Sequence, residues 1–257
     1  MIPVNRPKLE PKDIEAVMTS LEDNWISGDS KPVKELETNL ESKLKKSHAI
    51  CLTNGSSALD VSIDALALDK GAECVVPTFT IISTVSNLAR RGATIKLVDS
   101  DSKTWCMDTG DTLNAISVKT RLILPVHTYG LPVDLDPILS ESRAMEIFIL
   151  EDAAEALGLK YREKYCGTIG DAGIFSFYAN KIITGGEGGA VVTDNKNFAN
   201  RIRYLKNLCF EEERYVHKEL GWNLRMPALS ASMINSQLER LDDLSLKKRE
   251  IGLLYRE

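Results

Sequence analysis

The chain has 257 residues, and 43% of them are hydrophobic, which suffices for one large core or for a large domain with a small addition. Its formal net charge of −5 gives no electrostatic reason to expect nucleic acid or an anionic membrane surface as a partner. The polar stretch from Met1 to Pro11 has no apolar signal core, and no segment approaches membrane-spanning length.

The cysteines and histidines indicate the compartment and argue against a metal. Five cysteines are scattered along the chain without a C-x-x-C pair, as in proteins of a reducing compartment, where cysteine acts as a small buried hydrophobe. The three histidines, His48, His127 and His217, are not paired at the spacing of a zinc or iron site. We therefore expect a cytoplasmic protein that binds no metal.

Helical and strand-like segments alternate along the chain. The predicted helices cover 11–23, 31–46, 58–68, 81–91, 134–143 and 229–257. The predicted strands cover 48–52, 74–77, 94–98, 121–126, 146–150 and the apolar stretch that begins at Ile174. This alternation is typical of a largely parallel α/β sheet covered by helices on both faces.

Lys181 lies between an apolar, aromatic strand-like stretch and the glycine cluster 185–189. An apolar setting can lower the pKa of a lysine ammonium and make it a nucleophilic amine, which forms Schiff bases with carbonyl groups. Ser176 stands five residues before it. The alternative is a surface lysine that begins a glycine hairpin.

Two further polar groups follow predicted strands, at the edge where open α/β sheets place their ligands. The turn that contains Gly55, Ser56 and Ser57 precedes a helix, and its amides and hydroxyls suit a phosphate. Asp152 follows the apolar strand and could pair with a protonated pyridine nitrogen. The alternative for each group is an ordinary helix cap.

Taken together and in this order, these motifs resemble those of the pyridoxal phosphate (PLP)-dependent nucleotide-sugar aminotransferases of fold type I. The resemblance runs from Val4 to the last predicted helix and includes the segments 77–80, 125–130, 151–158 and 175–193. It implies a three-layer α/β/α large domain with a mainly parallel mixed sheet.

The resemblance also implies a role for each matching residue. Lys181 would be the Schiff-base lysine and the base that moves the proton, and Asp152 would bind the pyridine nitrogen. Glu155 would lie near the ring hydroxyl, while the turn at Gly55–Ser57 and Ser176 would hold the phosphate. Asn223 matches an asparagine that reaches the phosphate of a neighbouring subunit, which implies a homodimer with a shared site; its alternative is a loop-capping amide.

The chain departs from the family in places. Ile81 stands where many relatives carry an aromatic ring that stacks on the cofactor. Relatives also continue into a C-terminal domain of roughly a hundred residues. We therefore expect a PLP-binding large domain over 1–235, with an N-terminal segment over 1–30, and the start of a linking helix over 236–257 that leads to a small domain missing from this chain. The leucines Leu238, Leu241 and Leu244 of that helix are expected to face solvent unless another domain or a partner covers them.

Within the family, the closest resemblance is to the perosamine-type enzymes that aminate C4 of a 4-keto-6-deoxy nucleotide sugar. Glutamate would be the amino donor. The segments 24–27, 104–108 and 178–184 carry this finer resemblance. The alternative is a catalytically silent PLP-binding or interaction remnant. A nicotinamide-binding domain is disfavoured because no G-x-G-x-x-G follows the first strand, and a sugar dehydratase of this fold because it carries histidine where Lys181 stands.

Overall fold

A computed structural model describes residues 5–213 and 215–255. Val4, where the family resemblance begins, and residues 256–257, the end of the last predicted helix, lie outside this part of the chain. No helix within the described residues is long and apolar enough to cross a lipid bilayer.

Helices and strands alternate through most of the described chain. The helices are α1 Pro11–Glu22, α2 Lys31–Leu44, α3 Gly55–Ala65, α4 Ser83–Arg90, α5 Thr109–Ala115, α6 Asp136–Ala144, α7 Lys196–Lys206, α8 Ala228–Leu238 and α9 Leu241–Leu254. The strands are β1 His48–Leu52, β2 Glu73–Pro77, β3 Thr94–Val98, β4 Thr120–Ile123, β5 Phe148–Asp152, β6 Lys160–Tyr161, β7 Lys164–Tyr165, β8 Ala172–Ser176 and β9 Gly189–Thr193. The sequence prediction missed the helices α5 and α7 and the strands β6, β7 and β9.

Seven strands form one sheet in the order β1-β9-β8-β5-β4-β2-β3, and β6 and β7 form a separate hairpin. The pairs β8–β5, β5–β4, β4–β2 and β2–β3 are parallel, whereas β9 runs antiparallel to both of its neighbours. The predicted mainly parallel mixed sheet is therefore confirmed. Because β9 alone is reversed, its first residue, Gly189, lies opposite the last residues of β1 and β8.

The two faces of the sheet are covered by different helices, because alternate strand residues point to opposite faces. In β1, Ile50 and Leu52 pack with α3, α4 and α7, whereas Ala49 and Cys51 pack with α2 and α8. A third apolar cluster joins α6 to the second face, over β2, β4 and β5. The architecture is a three-layer α/β/α arrangement, as predicted.

The prediction of one continuous helix over 229–257 is wrong. The chain leaves helical geometry at Arg240, which separates α8 from α9. Leu238 and Leu241 flank this break and are buried, and Leu244 packs against the same cluster of apolar residues. These three leucines are therefore covered by the chain itself, and the expectation that they face solvent is also wrong.

All five cysteines are buried free thiols. Burial is the main reason that the pKa of each thiol lies above its ordinary value, reaching about 11 for Cys74 and about 12 for Cys166. They therefore serve as small apolar core residues, as the sequence predicted.

A buried ion pair lies at the helix break. The carboxylate of Asp13, in α1, is fully buried; it pairs with the Arg240 guanidinium and accepts a hydrogen bond of 2.7 Å from Ser236 Oγ. Oδ2, the oxygen that pairs with Arg240, also accepts the backbone N–H of Glu10 at 2.8 Å, which closes the first turn of α1. Asp13 thus ties α1 to the junction of α8 and α9.

Replacing Asp13 should destabilise the fold strongly. Asp13→Ala removes the buried partner of the Arg240 guanidinium and leaves it only the partly exposed Glu10 carboxylate at 3.1 Å, whereas full loss of a buried partner typically costs about 3–5 kcal/mol in the free energy of unfolding. Lys12→Ala is a matched control, because Lys12 joins the same two elements through an exposed ion pair of 3.4 Å with Glu239, worth about 1 kcal/mol or less. Urea unfolding monitored by circular dichroism measures both, and equal losses would contradict the prediction.

Candidate active site

Five strand ends meet at one edge of the sheet and surround a cavity of about 690 Å³. Six of the eight residues predicted to bind a cofactor line it: Gly55, Ser56, Asp152, Glu155, Ser176 and Lys181. Ser57 and Asn223 do not line it. The structure therefore brings together groups that lie up to 126 positions apart in the sequence.

The first turn of α3 lies directly against the end of β8. A Cβ atom on Gly55 would come within 2.9 Å of Ser176 Cβ, and one on Gly189 would lie 2.3 Å from the carbonyl oxygen of Asn54. Both distances are too short for any side chain, so glycine is required at both positions. The helix N-terminus and the end of β8 can therefore present their polar atoms to the same space.

Hydroxyl groups cluster around this helix N-terminus. Ser56 Oγ lies 2.7 Å from Ser83 Oγ, which belongs to the first residue of α4 and was not predicted from the sequence. Ser57 is directed elsewhere, since its hydroxyl accepts a hydrogen bond of 3.0 Å from Thr53. The cap of α3 is Asn54, whose side chain accepts from the Ser57 backbone N–H at 2.8 Å, so the serine-cap alternative is wrong.

Asp152 is the last residue of β5, two residues beyond the predicted end of that strand, and is 2% exposed. Its side chain accepts hydrogen bonds from Ala154 N at 3.1 Å and Thr84 Oγ1 at 3.3 Å. Burial raises the pKa of the carboxyl above its ordinary value, and these two hydrogen bonds oppose that rise. The residues directly after Asp152 form turns and not a helix, so Asp152 is not a helix cap. A cation in the cavity would favour its charged form.

The side chain of Lys181 is only 16% exposed, which contradicts the surface-lysine alternative. Its Nζ donates a hydrogen bond of 3.0 Å to Glu155 Oε1. The second oxygen of Glu155 accepts from the Tyr129 backbone N–H at 2.9 Å. Glu155 thus holds the lysine and the Tyr129 loop together at the cavity wall.

Aromatic and aliphatic side chains form the mouth of the cavity. Ile81 lines it and is 66% exposed. Phe79 also lines it and makes edge-on ring contacts with Tyr129 at 6.0 Å and with Trp105 at 5.1 Å between centroids. Phe79, Trp105 and Tyr129 thus form an aromatic group near position 81 from segments that are not adjacent in the chain, so the pattern around Ile81 alone did not predict it.

Asn223 lies outside the cavity, on the loop between α7 and α8. It is exposed, forms a bridge with Asn207, and its side-chain oxygen accepts a hydrogen bond of 3.0 Å from Arg225 Nε. Its side chain therefore pairs with a side chain of its own loop.

Comparison with known proteins places this chain among aminotransferases. The model of the DegT/DnrJ/EryC1/StrS aminotransferase family matches residues 7–257. The chain is 39% identical to a GDP-perosamine synthase of Escherichia coli O157:H7 over 257 residues, covering 100% of this chain and 71% of that protein. It is 36% identical to a GDP-perosamine synthase of Caulobacter vibrioides over 253 residues, covering 98% and 68%.

A solved structure confirms the fold class. The protein Spr1654 of Streptococcus pneumoniae, in its PLP form, superposes with a TM-score of 0.91 at 27% identity, covering 99% of this chain and 70% of that one. The chain thus spans about seven tenths of the length of these relatives. On the family match and the two relatives, the chain belongs to the DegT/DnrJ/EryC1/StrS aminotransferase family, of fold type I, with pyridoxal phosphate as its cofactor.

Proposed function

We propose that this chain transfers an amino group from glutamate to C4 of a 4-keto-6-deoxy nucleotide-linked sugar, in perosamine-type amino sugar synthesis. The observation that carries this proposal is that Lys181 and Asp152 face one cavity, which also holds a helix N-terminus with clustered hydroxyls. The names of the two relatives support the sugar.

The residues around the cavity fit PLP, which can be held at its pyridine nitrogen, at its aldehyde and at its phosphate. Asp152 offers a buried carboxylate for the nitrogen, and Lys181 offers an amine for the aldehyde. The amides that begin α3, with Ser56, Ser83 and Ser176, offer hydrogen-bond donors for the phosphate. Gly55 lets the start of α3 lie against Ser176, since a Cβ there would collide with it.

When bound, PLP supplies the electrophilic carbon and a ring that withdraws electrons. The chain supplies the rest. Lys181 would hold the cofactor through Nζ and would serve as the base for the proton that moves in amino transfer. Asp152 would face the ring nitrogen and favour its protonated form. Glu155 orients Lys181 through the hydrogen bond between their side chains.

We also propose that two copies of this chain complete the site. The support is the position of Asn223, which is exposed on a loop outside its own cavity. In this arrangement Asn223 contacts the phosphate bound by the other subunit.

The competing interpretation is that the chain is a catalytically silent PLP-binding or interaction remnant of the family. Its distinguishing property is that it takes up PLP weakly or transfers no amino group. Cofactor binding, amino transfer and subunit assembly can each be tested separately.

Lys181→Ala should abolish the covalent adduct that borohydride traps between the chain and PLP, because the reacting amine is removed. The measurement is mass spectrometry of the reduced protein. Lys164→Ala, at an exposed lysine of β7, is the control and should retain the adduct. An adduct that survives in Lys181→Ala would place the nucleophile on another lysine.

Asp152→Asn should retain PLP but lose about a hundredfold or more in the rate of amino transfer, because a neutral amide cannot balance the protonated ring nitrogen. Single-turnover absorbance changes after mixing with glutamate measure this rate without a sugar substrate. Transfer at the parental rate would remove Asp152 from the mechanism.

Asn223→Ala should weaken PLP binding, and dilution of the parent protein until subunits separate should release the cofactor. Sedimentation velocity with detection at the absorbance of PLP reports both assembly and occupancy. Asn197→Ala, at an exposed position of α7, is the control. A monomer that retains PLP would rule out the shared site.

A further inference from the structure

Glu151 precedes Asp152 in β5, and its side chain points to the opposite face of the sheet, away from the cavity. It is fully buried, yet it is surrounded by donors. Oε1 accepts the backbone N–H groups of Ile169 and Gly170, both at 2.6 Å, and Oε2 accepts that of Gly167 at 2.7 Å. The fourth partner is His127 Nε2, 2.9 Å from Oε2.

The hydrogen bonds of His127 determine its protonation. Its Nδ1 accepts the backbone N–H of Val133 at 3.2 Å, so Nδ1 carries no proton. The proton of the neutral ring is therefore on Nε2, which donates it to Glu151. His127 is itself fully buried and links the carboxylate to the segment 127–133 through both ring nitrogens.

The segment 127–133 contains an unfavourable backbone geometry. Tyr129 has φ +52°, in the left-handed region that non-glycine residues rarely adopt, and its side chain is 74% exposed. Such a conformation persists only where the surroundings impose it. In this geometry the Tyr129 N–H points at Glu155, which holds Lys181.

We propose that His127 is a positioning residue: its Nδ1 holds Val133, and with it the segment 127–133, so that the Tyr129 N–H fixes Glu155 against Lys181, while Glu151 orients the His127 ring. This inference rests on the proposed function, in which Lys181 is the reacting amine. His127 is also tied to Asp152 through the backbone, because the His127 N–H donates a hydrogen bond of 3.0 Å to the Asp152 carbonyl oxygen. Neither buried side chain touches the reacting atoms.

Two substitutions of His127 separate its two hydrogen bonds. Asparagine carries its side-chain oxygen near the position of Nδ1, so His127→Asn keeps an acceptor for Val133 and loses the donor to Glu151. Glutamine carries its amide nitrogen near the position of Nε2, so His127→Gln keeps the donor to Glu151 and loses the acceptor for Val133. Both substitutions replace one buried ring with one amide.

Two measurements on the chain without PLP test whether loosening the segment 127–133 changes the reactivity of Lys181. Amide hydrogen exchange reports how firmly the segment 128–133 is held. Acetylation by acetic anhydride, with peptide mass spectrometry, reports the reactivity of the Lys181 amine. We expect His127→Gln to raise both several-fold, because the segment is released and Glu155 no longer holds Lys181. His127→Asn should raise both much less.

Glu155→Ala provides a second variant at a partly exposed position, where folding is not in question. It should raise the Lys181 reactivity as much as His127→Gln does, and the double variant should react no faster than either single variant, because both act through one contact. Additive effects, or unchanged reactivity in Glu155→Ala, would overturn the proposal.

Equal behaviour of the two His127 variants, or faster exchange in 128–133 without a change at Lys181, would also overturn it and leave the pair a purely structural role. The parent protein is tested in parallel for covalent capture of PLP. A parent that captures none contradicts the proposed function, whereas the variant pattern in the cofactor-free chain still decides the positioning role.

Discussion

The contact between the start of α3 and the end of β8 is the constraint on which the rest of the site depends. It brings two backbones together at Gly55 and Gly189, where any Cβ atom would collide with Ser176 or with the carbonyl group of Asn54. The contact exists because β9 runs against the direction of the other strands and inserts between β1 and β8. The reversed strand thus begins against the turn that precedes α3, at the sheet edge that carries the cavity.

Much of this could be predicted from local patterns. The apolar runs of β1, β2 and β5 and the amphipathic period of α2 are strong signals, and parallel strands necessarily place their carboxyl ends on one edge. That rule alone brings Gly55, Asp152 and Ser176 to the same side of the sheet. The orientation of individual side chains could not be predicted in this way. Ser56 and Ser57 are adjacent on one helix turn, yet only Ser56 faces the cavity.

Other features depend on partners distant in sequence. The break at Arg240 has no glycine or proline to mark it. The Arg240 guanidinium pairs with the buried carboxylate of Asp13, which lies 227 positions earlier. Glu151 shares a motif with Asp152, but its partners lie in the loops 127–133 and 167–170, and local periodicity does not indicate them. The missed helix α7 did have a signal, namely Asn195 as its cap and the apolar spacing of Phe198, Ile202 and Leu205.

The buried cysteines have a consequence for selectivity. A thiolate adds to an aldehyde, so an accessible cysteine of low pKa would compete with an amine for the same electrophilic carbon. Each of the five thiols is buried with a raised pKa, and none lines the cavity. An aldehyde that enters the cavity therefore finds nitrogen and no competing sulfur, and the same core sulfur atoms are shielded from oxidants that reach the cavity through solvent.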